Sequence, residues 1–224
     1  VERIPVWWPQ RHPGLSARGS AVTSNRAHQP PMGRARAGTT FAREIWFRFT
    51  NRIYGPGTKT RPWTWIGDER IAIGSIPTPA SLLVLAREGV THVVNCRARP
   101  QTTFSQDLSA EKQLFGATNV AVAPMWDHGR HQPPAKWADA AEMAARWLED
   151  DPHARVLIHC QRGRRRSMMV AYAVLRLRGR APEVAAQELL ENRHEGRIVP
   201  AYRRAIEDWL ASRSVGVHGM IGPR

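Results

Sequence analysis

The 224-residue sequence predicts one α/β domain whose central sheet has four to five mostly parallel strands flanked by helices. Two observations support this fold class. Short runs of β-formers alternate with amphipathic segments of helical period from Trp65 onward. The length also suits one hydrophobic core with additional segments at the ends. We therefore place the domain at 63-212 and a C-terminal tail at 213-224.

Each element has its own signal along the chain. Strand signals are short runs of β-formers at 65-66, 71-73, 91-95, 120-122 and 155-158. Helix signals are runs with one apolar face at 81-88, 110-115, 134-149, 167-178, 182-192 and 200-212. Gly74 and Pro77 close the second strand, and Gly179 and Pro182 separate two late helices. In parallel sheets, sites lie at the carboxyl ends of the strands.

The first 62 residues differ in composition from the predicted domain. Residues 1-38 are rich in Pro, Gly, Ser, Arg and His without a hydrophobic period, so we expect them to be disordered. Because Met32 stands just before the first periodic segment, the natural product is expected to begin near Met32 instead of Val1. A helix and linker follow at 39-62. The basic amphipathic helix at 39-54 is expected to pack on the domain, with peripheral membrane contact as the alternative.

Composition excludes several classes of protein. The formal charge is +14, but the basic residues are nearly all arginine, which indicates a coding bias, so no specific nucleic-acid partner is expected. Two cysteines are too few for a disulfide framework or a Cys-based zinc site. No run reaches the ~18 apolar residues of a membrane span. We expect a cytoplasmic monomer that needs no metal or other cofactor.

One stretch of the sequence, IHCQRGRRRS at 158-167, carries chemistry that packing does not explain. We call residues 160-166 of this stretch the cysteine loop. A loop between a strand and a helix can turn successive N–H groups inward and form an anion cradle. Gly163 permits a positive-φ turn, and Arg166 can grip two phosphate oxygens. The same field favours the thiolate of Cys160 and lowers its pKa well below the free value of about 8.5.

The stretch also resembles a known family. His159-Cys160, five residues, then Arg166-Ser167 is similar to the HC-x5-R-[S/T] signature of the cysteine-dependent protein tyrosine phosphatases, and most similar to the dual-specificity branch. The resemblance extends over 65-210, including the strands and turns at 71-75 and 89-95. It implies a phosphatase P-loop between a central strand and a helix. It also implies hydrolysis of phosphomonoesters through a phosphocysteine.

The resemblance assigns roles to particular residues. Cys160 would be the nucleophile, and Asp127, 33 positions upstream, would be the general acid and then the base. Ser167 would stabilise the departing thiolate, and His159 would orient the loop. The phosphate would be bound by the loop residues Gln161, Arg162, Gly163, Arg164, Arg165 and Arg166.

Several alternatives remain open at this stage. Phosphoproteins are the first substrate class, but the extra arginines of the loop favour phosphoinositides or inositol phosphates. Three alternative functions belong to other classes of protein: a catalytically silent phosphate-binding module, a nucleic-acid-binding protein and a rhodanese-like sulfur carrier. Cys96 is interpreted as a core residue, with a redox partner of Cys160 as the alternative.

Overall fold

The fold is given by a computed structural model, which describes residues 62–218 and the side chains of residues 62–213. The predictions for 1-38 and for the helix at 39-54 therefore lie outside the described residues. Within the described part, no helix is both long enough and apolar enough to cross a membrane.

The described residues form a five-stranded sheet in the order β1-β2-β5-β3-β4. Its strands are β1 (Trp63–Ile66), β2 (Ile71–Gly74), β3 (His92–Asn95), β4 (Val120–Val122) and β5 (Val156–His159). Only β1 is antiparallel to its neighbour. The reason is its short connection to β2, since a parallel pair needs a crossover of a dozen or more residues. The predicted mostly parallel sheet is confirmed.

Helices cover both faces of the sheet. They are α1 (Pro79–Arg87), α2 (Arg99–Ser105), α3 (Asp107–Phe115), α4 (Ala138–Asp150), α5 (Arg166–Leu177), α6 (Pro182–Asn192) and α7 (Pro200–His218). Alternate residues of the strands point to opposite faces. Ile73 and Ile158 join the core beneath α4 and α5. Ala72 and Leu157 join a second cluster with α1 and α3. Both faces are buried, as the continuous apolar runs of β2 and β5 require.

The largest difference from the predicted elements lies between β3 and β4. The helix α2 was not predicted, because it buries the polar side chains of Gln101 and Thr102 and so has no apolar stripe. The helix α3 begins before the predicted 110, because the residues it buries are Asp107 and Glu111. At the C-terminus, α7 continues to His218, into the predicted tail.

Candidate active site

The cysteine loop begins at the carboxyl end of β5, the central strand of the sheet. The amide of Cys160 donates to the carbonyl of Gly74 at 3.2 Å, and the amide of Cys96 donates to the carbonyl of His159 at 2.8 Å. The start of the loop is therefore fixed from both neighbouring strands. The loop ends where α5 begins, at Arg166.

A sharp turn inside the loop directs an amide at the sulfur. Gly163 has a φ of 65°, as predicted, and its N–H donates to Cys160 Sγ at 3.2 Å. A Cβ at this position would lie 2.6 Å from the carbonyl oxygen of Gly74. Only glycine fits this turn, because both the backbone angle and the space exclude a side chain.

The environment of Cys160 favours the ionised sulfur. Burial, with 1% of the residue exposed, raises the pKa of the thiol. The charge of Arg166 and hydrogen bonds from Ser167 and the loop backbone outweigh burial and lower the pKa to about 7. Ser167 Oγ lies 3.4 Å from the sulfur. The geometry therefore lowers the pKa of Cys160, in the direction that the sequence predicts. A large fraction of the sulfur is thiolate at neutral pH.

Arg166 is buried, and its Nε donor has no partner among the described residues. Its Nη1 donates to Gln101 Oε1 at 2.8 Å, to the carbonyl of Met125 at 2.9 Å and to the carbonyl of Cys96 at 3.4 Å. All three acceptors are neutral. The Nε of Arg166 is buried and has no hydrogen-bond partner among the described residues. A buried unpaired guanidinium donor costs free energy unless a ligand accepts from it, and an oxyanion is the acceptor that fits best.

The other three arginines of the loop lie at its exposed rim. Arg162 is exposed and has no ion pair within the described part of the chain. Arg164 Nε lies 3.6 Å from Glu195 Oε2, and Arg165 Nη1 lies 3.5 Å from Asp127 Oδ1. Both contacts are long for an ion pair and partly exposed. These side chains therefore remain available to an anion that approaches from solvent.

Asp127 lies in the long connection between β4 and α4, beside the cysteine loop through its contact with Arg165. This connection is fixed at two further points. The amide of Gly129 donates to Tyr202 Oη at 3.1 Å, and Gln132 Nε2 donates to the carbonyl of Trp126 at 2.8 Å. The carboxyl group of Asp127 is partly exposed, with about a third of its side chain accessible. The structure thus brings the predicted acid to the loop.

A buried polar network supports the loop from below. His159 Nε2 lies 2.7 Å from Glu111 Oε1. Asn95 Nδ2 donates to Glu111 at 3.0 Å and to Asp107 at 2.9 Å, and Arg97 Nη1 lies 2.6 Å from Asp107. Burial lowers the pKa of His159, but the interactions with Glu111 and Asp107 together outweigh burial, so the pKa is raised overall. His159 is therefore held against Glu111 directly before the nucleophile.

The same network explains the position of Gln161. Gln161 Oε1 accepts from Arg97 Nε at 3.0 Å, so this side chain is turned towards the network. Asp107, Glu111 and His159 are close enough together to hold a metal ion. However, both oxygens of Asp107 already accept hydrogen bonds or an ion pair, and Glu111 Oε2 accepts from Asn95. Glu111 Oε1 lies 2.7 Å from His159 Nε2 but has no hydrogen-bond partner among the described residues. Three of the four carboxylate oxygens of the cluster are therefore already engaged by donors of the chain.

Cys96 lies next to the nucleophile in the sheet. It follows Asn95, which pairs with His159 across β3 and β5, so Cys96 and Cys160 continue adjacent strands. Such strands are about 4.8 Å apart. Both cysteines are free thiols, and burial raises the pKa of Cys96. Its redox role stays a prediction.

Four of the buried polar residues that support the site lie on helices or directly after one, and sequence reasoning missed them. They are Gln101, Asp107 and Glu111, which lie on α2 and α3, and Arg193, which follows α6. Their side chains lie on the buried faces of these elements, where a hydrophobic pattern gives no signal. The one available signal was the combination of acidic residues at i and i+4, which is also typical of an exposed helix face.

No protein-family model matches the chain, and no curated protein matches it in sequence. Solved structures do match it. Human DUSP28 is 21% identical over 68% of this chain and 95% of its own, with a TM-score of 0.55. PTPMT1 in complex with PI(5)P is 18% identical over 70% and 99%, with a TM-score of 0.59. Kinase associated phosphatase is 16% identical over 70% and 98%, with a TM-score of 0.59.

These structures are cysteine-dependent phosphatases of the dual-specificity type, and each is covered almost completely. At such low identity the similarity concerns the fold. The described domain therefore has the α/β fold of the dual-specificity branch of the cysteine-dependent phosphatases.

Proposed function

We propose that this protein is a phosphomonoester hydrolase that works through a phosphocysteine intermediate. One observation carries the proposal: a buried sulfur with a pKa of about 7 accepts the Gly163 amide and lies in the field of Arg166, whose Nε is unpaired. This arrangement provides both a nucleophile and a receptor for a tetrahedral oxyanion. It also argues against a rhodanese-like carrier, since the unpaired Nε of Arg166 suits a phosphate oxygen.

The first chemical step transfers the phosphoryl group to the sulfur. The Cys160 thiolate donates an electron pair to phosphorus while the bond from phosphorus to the leaving oxygen breaks. Asp127 in its acid form gives a proton to that oxygen, so the product leaves as an alcohol or phenol. Arg166 and the loop amides hold the equatorial oxygens, whose charge they stabilise throughout the transfer.

The second step releases phosphate. Asp127, now a carboxylate, takes a proton from water as the water oxygen attacks phosphorus and the P–S bond breaks. The sulfur leaves as a thiolate, which Ser167 stabilises by donating from its hydroxyl group, 3.4 Å away. Inorganic phosphate is the product, and the chain's own residues supply every proton transfer.

Turnover of an aryl phosphate tests the proposal directly. The wild-type chain should release phosphate, and Cys160→Ser should abolish turnover while it still binds inorganic phosphate. Mass spectrometry of Asp127→Ala during turnover should find a phosphoryl group on Cys160. If phosphate binds but the wild-type chain never turns over, the silent binding module is the correct function.

The substrate class has two candidates. Phosphorylated Tyr, Ser or Thr of proteins is the class that the sequence resemblance implies. The rim arginines favour a second class, because Arg162, Arg164 and Arg165 add positive potential around a site that needs only one phosphate to fill it. A phosphoinositide or an inositol phosphate offers the additional phosphates. The solved complex of PTPMT1 with PI(5)P shows that a protein of this fold binds such a headgroup.

A substrate panel distinguishes the two classes. Phosphopeptides, soluble inositol phosphates and phosphoinositide vesicles are compared by kcat/KM, for the wild-type chain and for Arg162→Gln. Phosphoinositides or inositol phosphates are supported if Arg162→Gln lowers kcat/KM for multiply phosphorylated substrates by about tenfold and leaves kcat/KM for a simple aryl phosphate unchanged. Equal losses on every substrate would assign the arginine to general phosphate binding. Cytoplasmic location and a monomeric state remain parts of the same proposal.

A further inference from the structure

A second buried arginine contacts the cysteine loop from outside the signature. Arg193 lies directly after α6, and only 8% of it is exposed. Its Nε donates to the carbonyl of Gly163 at 3.0 Å, and its Nη1 donates to Thr64 Oγ1 on β1 at 2.9 Å. The guanidinium therefore connects the loop to the edge strand of the sheet. Such a planar fork can hold two acceptors in one fixed geometry.

The contact falls on the residue whose conformation matters most for the sulfur. The N–H of Gly163 donates to Cys160 Sγ, and its carbonyl accepts from Arg193. Both backbone groups of this residue are thus engaged, one by the nucleophile and one by Arg193. Gly163 lies in the loop between β5 and α5 and belongs to neither element. Its orientation depends on these contacts and on Gly74, which it approaches closely.

Arg193 also adds charge where negative charge develops. Its side chain forms no ion pair within the described residues, since its hydrogen-bond acceptors are a carbonyl and a hydroxyl. The charged groups that influence it are Glu195 and Arg164 on the rim and the sulfur of Cys160. Burial lowers the pKa of Arg193, whereas the negative charges of Glu195 and Cys160 raise it. An arginine stays protonated even so, and its charge acts on the loop with little screening.

We propose that Arg193 is a positioning residue for phosphoryl transfer, which holds the Gly163 amide against the nucleophile and supplies a second buried positive charge to the cysteine loop. The inference rests on the proposed phosphatase function. Arg193 acts through Gly163. Its loss should therefore change the ionisation of Cys160 and the affinity for phosphate, and not only the stability of the protein.

Three variants separate charge from geometry. Arg193→Gln removes the charge, Arg193→Lys keeps the charge but loses the fork, and Thr64→Val removes only the anchor on β1. The matched control is Arg70→Gln. Arg70 also donates to main-chain carbonyls, those of Leu148, Asp151 and Ala154, but at the opposite end of the parallel strands. The control therefore reports what the loss of a structural arginine does by itself.

Two readouts do not depend on turnover. The first is the rate of iodoacetamide alkylation of Cys160 against pH, followed by mass spectrometry. The second is the affinity for inorganic phosphate. For Arg193→Gln we expect a thiolate fraction at pH 6 that is about three- to tenfold lower and a phosphate affinity about tenfold weaker. For Arg193→Lys and Thr64→Val we expect a smaller shift of the alkylation profile, in the same direction, and weaker phosphate binding. Arg70→Gln should change neither readout.

The outcomes are distinct. If folded Arg193→Gln keeps both the alkylation profile and the phosphate affinity of the wild-type chain, the inference is wrong. If Arg193→Gln does not fold, Arg193→Lys and Thr64→Val decide it, and unchanged phosphate affinity in both overturns it. If Arg70→Gln shifts both readouts as much as Arg193→Gln does, the role of Arg193 is structural only. Failure of the wild-type chain to turn over an aryl phosphate would instead overturn the proposed function.

Discussion

Gln101, a neutral hydrogen-bond partner of Arg166, allows a test of how the charge of Arg166 controls the ionisation of Cys160. Gln101 Oε1 accepts from Arg166 Nη1 at 2.8 Å and from the amide of Ala98 at 3.2 Å. Gln101→Glu keeps the shape and both acceptor contacts and adds one negative charge. The carboxylate would neutralise Arg166, whose charge is the largest influence that lowers the pKa of Cys160 against burial.

The size of the effect follows from the pKa. With the pKa at about 7, roughly a tenth of Cys160 is thiolate at pH 6. If neutralisation of Arg166 raised the pKa to about 9, the thiolate fraction at pH 6 would fall about 100-fold, equivalent to about 2.7 kcal/mol. Phosphate affinity should fall as well, because the same charge attracts the dianion.

Alkylation of Cys160 by iodoacetamide between pH 5 and 10 measures the ionisation directly, and inorganic phosphate binding gives the second readout. Gln101→Met is the control, since it removes the acceptor without adding charge and should shift the profile far less. An alkylation profile for folded Gln101→Glu that overlies that of the wild-type chain would refute the reasoning, because Arg166 would then not control the sulfur.

Three further predictions follow from the site. Asp127→Asn should lower kcat by about 100-fold on an alkyl phosphate but far less on an aryl phosphate with a good leaving group, in steady-state assays; equal losses on both would remove the acid role. His159, whose pKa is raised by Glu111 in the folded chain, should stabilise the fold fully below its unfolded pKa of about 6.5 and lose this stabilisation as pH rises through the higher folded pKa. Thermal unfolding from pH 6 to 9 should therefore show a steeper decline for the wild-type chain than for His159→Gln, and parallel curves would contradict it. Mild peroxide should link Cys96 to Cys160, as seen by peptide mass spectrometry, and reducing agent should restore activity; a lone oxidised Cys160 would exclude the pairing.

The sequence allowed the central part of the site to be predicted because its chemistry is local. Cys160, Gly163 and Arg166 lie within seven consecutive residues, and a strand before them and a helix after them determine where they point. The run of β-formers before Cys160 predicts the strand β5, and Gly163 predicts the turn with a positive φ. The mostly parallel sheet followed from the same alternation of strands and helices.

The supporting residues could not be predicted, because their roles depend on contacts across the fold. Gln101 reaches Arg166 over 65 positions, and Arg193 reaches Gly163 over 30. Asp107 and Glu111 sit on a helix face that is buried although it is acidic, since Asn95 donates to both carboxylates and Arg97 lies against Asp107. A pattern that equates burial with apolar residues assigns such a face to solvent.

The position of β5 in the sheet has a consequence for how activity is lost. This strand is hydrogen-bonded to β2 on one side and β3 on the other, up to the residue that precedes the nucleophile. Amides of such a strand exchange with solvent only when the whole domain opens. Denaturant should therefore abolish phosphate binding and the far-ultraviolet signal of the sheet at the same midpoint, so the reactive sulfur should persist as long as any of the domain remains folded.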